Sequence, residues 1–379
     1  MNQHVEIQSQ SLTATLATAD LRKAIAFARM PICRRTTIPI LGALRFQFSP
    51  GRLTVMGSDL DFQFEMNVEA ECAMPFDFCL SPQVLGRLMQ VSDSSDTTIS
   101  LSAGENGELL HVVSGDIDAK FRTLFPSIDF PAMEPARFLL PEGETPASSI
   151  SEPKLYEILR NVSPCISTEE TRYYLHGIYM HAKKDGLLRA VATDGHRPAM
   201  QTTDIPWKGL DAIVPRGLIA LLMKFLSPKG NETIKIYGTP THRCIEPESG
   251  SWCIKHKLID GTFPNYERVI PTPADDISFP LSWAQVRRLV GIGPNFRLVG
   301  VKFEPGAGRM SVRDRDFDSD VTVSLPGGRG GDVGFALRYV SDIVRRHGTV
   351  RFESANKSNP ARILTEDPSL TLILMPMLV

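Results

Sequence analysis

The feature that most constrains this chain is a strand-and-turn unit that occurs three times. Its clearest copy is Val191-Ala-Thr-Asp-Gly-His-Arg197, which continues the strand-forming run Gly186-Leu-Leu-Arg-Ala-Val-Ala192. Similar text stands upstream as Gly51-Arg-Leu-Thr-Val-Met-Gly-Ser-Asp59 and downstream as Gly308-Arg-Met-Ser-Val-Arg-Asp314. Thr193-Asp194-Gly195 predicts a tight turn, because Asp bonds its own backbone and Gly tolerates positive φ. The period holds at independent landmarks: Asp59 to Asp194 is 135 residues and Asp194 to Asp314 is 120, while Thr98 to Thr233 is 135 and Thr233 to Thr349 is 116. Repeats this long are whole domains, since solenoid units run about 20 to 50 residues.

Local patterns repeat with the same spacing. Leu21, Ala24, Ile25 and Ala28 form a 3.6-residue apolar stripe that predicts a helix over 16–29. Ser81-Pro82 supplies an N-cap and a first-turn proline for a helix over 83–90. Further helices are expected over 151–160, 215–225, 282–290 and 335–346, and strands over 43–48, 96–101, 231–237 and 348–352. The expected fold is therefore α+β: three tandem repeated domains, each with two helices on antiparallel sheet. Their expected limits are 1–131, 132–262 and 263–379, with joins in the proline-interrupted segments 130–135 and 266–274. The tract Gly327-Gly-Arg-Gly-Gly331 lacks the lysine and following helix of a phosphate loop, so a mobile strand connection is expected there.

Composition bounds the function. The chain is 42% hydrophobic and 22% charged, values of a soluble globular protein. Six cysteines without a C-x-x-C pair argue against a zinc ribbon or a disulfide scaffold and fit reduced thiols in a cytosol. The first residues lack a secretory pattern, and no apolar run approaches the roughly 18 residues that span a bilayer. A cytoplasmic protein that meets no membrane is expected. Asp194 and His196 could form a metal pair or an acid/base dyad. The plain turn is the stronger reading, because no second His or acidic cluster has ligand spacing. No catalytic residue, metal or cofactor is expected, although an α+β enzyme using Asp194, His196 and Arg197 remains a distinct alternative.

Charge is unevenly placed. The six helical segments hold Arg22, Lys23, Arg29, Arg87, Lys154, Arg160, Arg216, Lys224, Arg287, Arg288, Arg338, Arg345 and Arg346 against Asp20, Glu152, Glu157 and Asp342, a net +9. The whole chain is −2, so everything else carries −11. Such a separation offers one cationic surface to phosphates while the rest repels them. Helices also favour Arg and Lys for propensity alone, but recurrence in all three repeats weighs against that. Binding through phosphates carries no base readout, so any DNA association is sequence-independent. A conventional basic DNA-binding protein is the second alternative.

Several blocks resemble the bacterial DNA polymerase III beta subunit, the sliding-clamp family: Arg172-Tyr-Tyr-Leu-His-Gly177, Val191 to Arg197, Ile213-Val-Pro-Arg216, Lys257-Leu-Ile-Asp-Gly-Thr-Phe-Pro-Asn-Tyr-Glu-Arg-Val-Ile-Pro271 and Met375-Pro-Met377, with Arg35-Thr-Thr-Ile-Pro-Ile-Leu41 in the first domain. They span nearly the whole chain. The resemblance implies a head-to-tail homodimeric ring that encircles double-stranded DNA, slides, and tethers the replicative DNA polymerase, the clamp loader and other proteins carrying a clamp-binding peptide. The implied peptide pocket is Leu175, Thr193, Gly195, His196, Arg197, Pro198, Pro264, Arg268, Val269, Phe296, Tyr339, Ile373, Met375, Pro376 and Met377, with Arg197 and Arg268 holding polar or acidic peptide groups. It also implies that Arg35, Tyr173 and Tyr174 approach DNA beside Arg22, Lys23, Arg87, Lys154, Arg160, Arg216, Lys224, Arg287, Arg288, Arg345 and Arg346. The chain departs from the family at Pro198, where leucine is frequent, at Ala336, where a polar residue is common, at His176, where Asn or Ser is usual, and at its Leu378-Val379 end.

Overall fold

The computed structural model describes residues 12–32, 36–104, 107–123, 125–133, 148–290, 299–314 and 319–379. Arg35 and Phe296 lie outside them. One order of elements runs through the chain three times. The first copy is β1 (Leu12–Ala17), α1 (Thr18–Ala28), β2 (Leu44–Ser49), β3 (Gly51–Ser58), β4 (Phe62–Cys72), β5 (Phe76–Leu80), α2 (Pro82–Val91), β6 (Asp96–Gly104), β7 (Gly107–Ser114) and β8 (Ile117–Arg122). The second is β9 (Ser148–Ser151), α3 (Glu152–Val162), β10 (Gly177–Ala182), β11 (Leu187–Thr193), β12 (Pro198–Pro206), β13 (Ala212–Pro215), α4 (Arg216–Phe225), β14 (Thr233–Gly238), β15 (His242–Pro247) and β16 (Trp252–Lys257). The third is β17 (Ile277–Leu281), α5 (Trp283–Val290), β18 (Gly300–Glu304), β19 (Arg309–Asp314), β20 (Ser319–Ser324), β21 (Val333–Ala336), α6 (Leu337–His347), β22 (Val350–Ser354), β23 (Ala361–Leu364) and β24 (Leu370–Leu374).

Pairing follows the same scheme in each copy, apart from a short β1–β4 ladder in the first, and every ladder is antiparallel. The first strand of each copy joins the sixth (β1–β6, β9–β14, β17–β22), and the sixth, seventh and eighth form a meander. The second strand pairs with the third and the fifth, and the third with the fourth. Two further ladders join one copy to the next: β4 to β16 and β12 to β24. By packing, the chain forms two units, Met1–Ser151 with Asn231–Lys257 and Glu152–Gly230 with Leu258–Val379. The inter-copy ladder β4–β16 lies inside the first unit and β12–β24 inside the second, so the packing units run across the repeat limits.

Each core follows from alternation on the strands and the helical stripe. In the first unit Leu21, Ala24, Ile25 and Ala28 of α1 are buried, as their spacing demands, with Phe46, Phe48, Phe64 and Phe78. Phe46 and Phe78 stack at 5.0 Å between ring centroids. In the second unit Phe279, Phe303, Phe335 and Phe352 do the same work, with Phe279 and Phe352 at 5.1 Å. Burying one such side chain stabilises by about 1.5–3 kcal/mol. The helices pack as α1 with α2, α3 with α4, and α5 with α6. The Ser81 hydroxyl accepts from Gln83 N–H and Pro82 opens α2, as expected. No helix among the described residues is long and apolar enough to cross a membrane.

Two expectations need correction. The helix expected from residue 16 starts at Thr18, because Leu12–Ala17 is strand and Ala17, at φ −62° and ψ 128°, passes straight into the helix without a glycine or proline. The Gly327–Gly331 tract is not a loose connection: Arg329 and Ser278 exchange two backbone hydrogen bonds of 2.8 and 3.0 Å, which tie it to β17.

The repeated turn explains its own sequence. Asp194 Oδ1 accepts from the N–H groups of His196 and Arg197 at 2.9 and 3.0 Å, and Thr193 Oγ1 accepts from Gly195 N–H. In the first copy Asp59 Oδ1 accepts from Asp61 and Phe62, and Ser58 Oγ from Leu60. Gly195 sits at φ +89°; Leu60, its counterpart, is forced to +77° with a side chain attached. Left-handed backbone costs an L-residue roughly 1–2 kcal/mol, and glycine's extra chain entropy returns part of that, so Leu60→Gly should raise stability by up to about 1 kcal/mol. Denaturant midpoints of the two proteins measure it.

On β16, His256 is wholly buried, its Nδ1–H donates to Lys257 O at 3.0 Å, and its Nε2 has no partner among the described residues. Burial pushes its pKa down from 6.5 to about 4. The folded state therefore keeps the ring neutral while the unfolded chain protonates below about pH 6.5. Stability from this group is complete above that pH and falls as the pH drops towards about 4, a loss on the order of 3 kcal/mol. His256→Leu should flatten the decline of the urea midpoint between pH 7 and pH 4.5.

Candidate functional site

The heptapeptide Val191–Arg197 ends β11, turns, and leads into β12 at Pro198. Its side chains organise one surface of the second unit. Arg197 is the central piece: its Nε donates to Asp194 Oδ2 at 3.2 Å, Nη1 to Asp342 Oδ2 at 2.7 Å and Nη2 to Pro164 O at 2.7 Å. The guanidinium also lies over the Tyr339 ring, 4.6 Å from its centroid. Burial works against the Asp342 carboxylate, but hydrogen bonds and charge from Arg197 and Arg346 outweigh it and hold its pKa below the usual carboxylate value. Arg197 is thus a strut between the turn, the 163–165 segment and α6. The part expected of it, gripping a peptide's acidic group, is limited to whatever donor capacity the strut leaves.

Around the strut the expected residues assemble in two groups. His196 stacks on Tyr339 at 5.9 Å, and its carbonyl accepts from Met375 N–H at 2.9 Å, so the turn, α6 and the segment after β24 meet. Leu175 packs with Val191, Ile213, Phe263 and Tyr266 in a buried cluster, beside which Pro264, Arg268 and Val269 ride on the turn that contains Tyr266–Val269. Gly195, His196, Pro264, Arg268 and Met377 are exposed; Arg197, Val269, Tyr339, Met375 and Pro376 are half-buried. Leu175, Thr193, Pro198 and Ile373 are buried.

The C-terminal segment is fastened twice, by Met375 N–H to His196 O and by Met377 N–H to Gly334 O, each 2.9 Å. Gly334 makes the second contact possible, since a Cβ there would stand 2.5 Å from Met377 O. A cavity of about 430 Å³ beside this segment shares only Pro376 and Met377 with the expected set; its other walls include Lys302, Asp332, Lys357 and Val379. Sequence reasoning missed Arg172, whose guanidinium lies against Gly195, and Asp342, which anchors Arg197. Asp342 was legible only as a helix charge, because the pairing depends on tertiary approach across 145 residues.

The metal-pair and dyad readings of Asp194 and His196 find no geometry. Both Asp194 oxygens are engaged with the turn and Arg197, and His196 faces an aromatic ring and carries no carboxylate partner among the described residues.

The helix cations divide into two sets. Lys23, Arg87, Arg160, Arg216, Lys224, Arg287 and Arg288 are exposed and carry no ion pair among the described residues. Others are engaged. Arg22 donates to Met89 O and Ser92 O at the C-terminus of α2, Lys154 pairs with Glu157 at 3.1 Å, and Arg346 pairs with Asp342 at 2.9 Å. Arg345 covers the Trp283 ring at 4.6 Å. Arg22 therefore also braces the helix pair. Tyr173 is 54% exposed and meets Tyr174 edge-to-face at 5.8 Å, so one ring is available for stacking.

Removing the strut should cost far more than removing a rim cation. Arg197→Ala removes one of the two cations paired with Asp342, the side-chain partner of Asp194 Oδ2 and the donor to the Pro164 carbonyl, and should lower stability by about 2–3 kcal/mol, whereas exposed Arg268→Ala should stay within about 0.5 kcal/mol of the parent. Urea unfolding of the two variants checks the contrast.

Comparison with known proteins gives one answer along the whole chain. A family model described as the DNA polymerase III beta subunit, N-terminal domain, matches residues 12–134, and one for the central domain of that subunit matches 149–265. The beta sliding clamp of Caulobacter vibrioides is 29% identical over 96% of this chain and 99% of its own length, and that of Pseudomonas aeruginosa is 27% identical over 96% and 99%. Among solved structures, the sliding clamp of Caulobacter crescentus superposes with a TM-score of 0.82 at 29% identity, covering 97% of this chain and 100% of that one. A sliding clamp from Bartonella birtlesii, bound to griselimycin, gives 0.82 at 27% identity over 98% and 100%.

Proposed function

The chain belongs to the bacterial DNA polymerase III beta-subunit family, and we infer from this how its parts divide the work of a sliding clamp. It is a non-catalytic processivity factor of DNA replication that makes and breaks no bond. Its partners are double-stranded DNA, the replicative polymerase and a second copy of itself.

The observation that carries the ring is the ladder rule of the repeat. The fourth strand of the first copy takes the last strand of the second (β4–β16), and the fourth strand of the second takes the last of the third (β12–β24). The same rule leaves β20 and β8 without partners on that side among the described residues. β8 has no fully buried residue and bears Lys120 and Arg122, while β20 bears Asp320. A β20–β8 contact between two copies satisfies both edges, is head-to-tail, and closes a ring of six repeats when it occurs twice. The three domains run 1–131, 132–262 and 263–379, following the element order. Exposed Lys23, Arg87, Arg160, Arg216, Lys224, Arg287, Arg288 and Arg345 supply charge to phosphates without reading sequence, joined by Tyr173, Tyr174 and Arg35.

The peptide groove is the surface around His196, Tyr339, Met375 and Met377, backed by Leu175, Pro198 and Ile373 and flanked by Pro264, Arg268 and Val269; Phe296, outside the described residues, belongs to it by family resemblance alone. Methionines adapt to varied side chains, and the polar edges orient the guest. Clamp-loader and other clamp-binding peptides use the same groove. The setting is the cytoplasm.

Two measurements test this reading. Solution mass should be about twice 41.9 kDa. Protein loaded on closed circular DNA should survive a salt wash and leave when the circle is cut. A conventional basic binder would be stripped by salt from either form, and equal retention on linear and circular DNA rejects the clamp.

A further inference from the structure

Outside the groove and the basic helices, the described residues hold one tight cluster of sulfur and carboxylate groups. Cys244 on β15 and Cys253 on β16 bring their Sγ atoms to 3.0 Å, closer than the roughly 3.5–4.0 Å at which carbon atoms pack. Cys244 stands opposite Lys255, and Cys253, two residues before Lys255, shares its face, so both sulfurs project to one side of the hairpin. They form a small buried cluster of their own, with Tyr237 against it. Glu246 brings a carboxylate within 4.8 Å of both. On the next strand Glu65 stands opposite Cys253 and pairs with the Lys255 ammonium.

We propose that Cys244 and Cys253 are a reversible oxidation site, a dithiol that closes to a cross-strand disulfide with a low-molecular-weight disulfide as oxidant. The rival occupant, a thiophilic cation held with Glu246, fits less well. Two thiolates about 2.3 Å from one tetrahedral zinc stand roughly 3.8 Å apart, and the sulfurs here are nearer. The exchange balances. The Cys253 thiolate attacks one sulfur of the oxidant and expels a small thiolate. The Cys244 thiolate then attacks Cys253 Sγ in the mixed disulfide and expels the second. The two cysteine protons end on the two small thiols, and the oxidant is reduced as the pair is oxidised. The bond fastens β15 to β16, the strand that β4 uses to join the first copy to the second, so oxidation stiffens that junction. The S–H contact with Cys244 and burial raise the Cys253 thiol well above its ordinary range, which makes the pair slow to react while the hairpin is closed.

Refolding removes that obstacle. The full chain is unfolded, refolded in a reduced and oxidised glutathione buffer, trapped by alkylation, digested and mapped by mass spectrometry. The expected product is one cross-linked peptide pair joining Cys244 to Cys253, two hydrogens lighter than the dithiol and restored by dithiothreitol. It should persist in Cys72→Ser and vanish in Cys253→Ser. Amide exchange over 252–257 should be slower in the oxidised form. Alkylation of both thiols at every glutathione ratio, a cross-link between other cysteines, or zinc retained by the purified protein and lost in Cys253→Ser each overturns the proposal.

Discussion

An open strand edge is a row of unsatisfied N–H and C=O groups, and this chain is built around the need to cover such rows. Each copy of the repeat satisfies most of its backbone internally but leaves one side of its fourth and last strands wholly or largely uncovered. The β4–β16 and β12–β24 ladders cover two of these pairs. They are ordinary antiparallel ladders, as cohesive as those inside a copy, which is why the packing units run across the repeat limits. The same need for edge cover extends from the chain to its partner copy.

Against this rigid lattice the site is surface furniture. Arg197 spends its donors on Asp194, Asp342 and Pro164, and in doing so fixes the turn that presents His196 beside Tyr339 and Met375. A groove that must accept many different peptides benefits from a stiff floor and adaptable rims, and the proposed groove would have strand and salt bridge for its floor and methionine, proline and a glycine-bordered turn for its rims. The helix cations complement it: those left exposed are positioned by amphipathic packing rather than by specific partners, which suits a binder of phosphate that must not stop at any sequence.

Much of this was legible because the same text is written three times. Asp59 and Asp194 do identical backbone work, so their shared neighbourhood betrayed the turn and its period. Ser81-Pro82 marked its helix because capping is local. The first strand of each copy stayed hidden, since strand runs into helix with no breaker residue between them, as at Ala17. Arg22 also braces the carbonyls of Met89 and Ser92, and nothing within a few residues of it encodes that approach. The groove's members came from family resemblance, and only coordinates separate its buried backing, such as Ile373, from its exposed rim.

Sameness carries a hazard of its own during folding. A nascent chain with several interchangeable edges could dock β4 on the wrong meander, and the backbone alone would not object. The polar side chains along the two junctions differ: Glu65 meets Lys255 and the Asn67 amide donates to Gly250 O at the first, while the Gln201 amide meets Ser369 and Asp367 at the second. Mispairing would strand Glu65 or Lys255 without its counterpart, a penalty of about 3–5 kcal/mol for a buried charge. These few contacts act as address labels, rejecting the wrong neighbour in a molecule whose modules are otherwise alike.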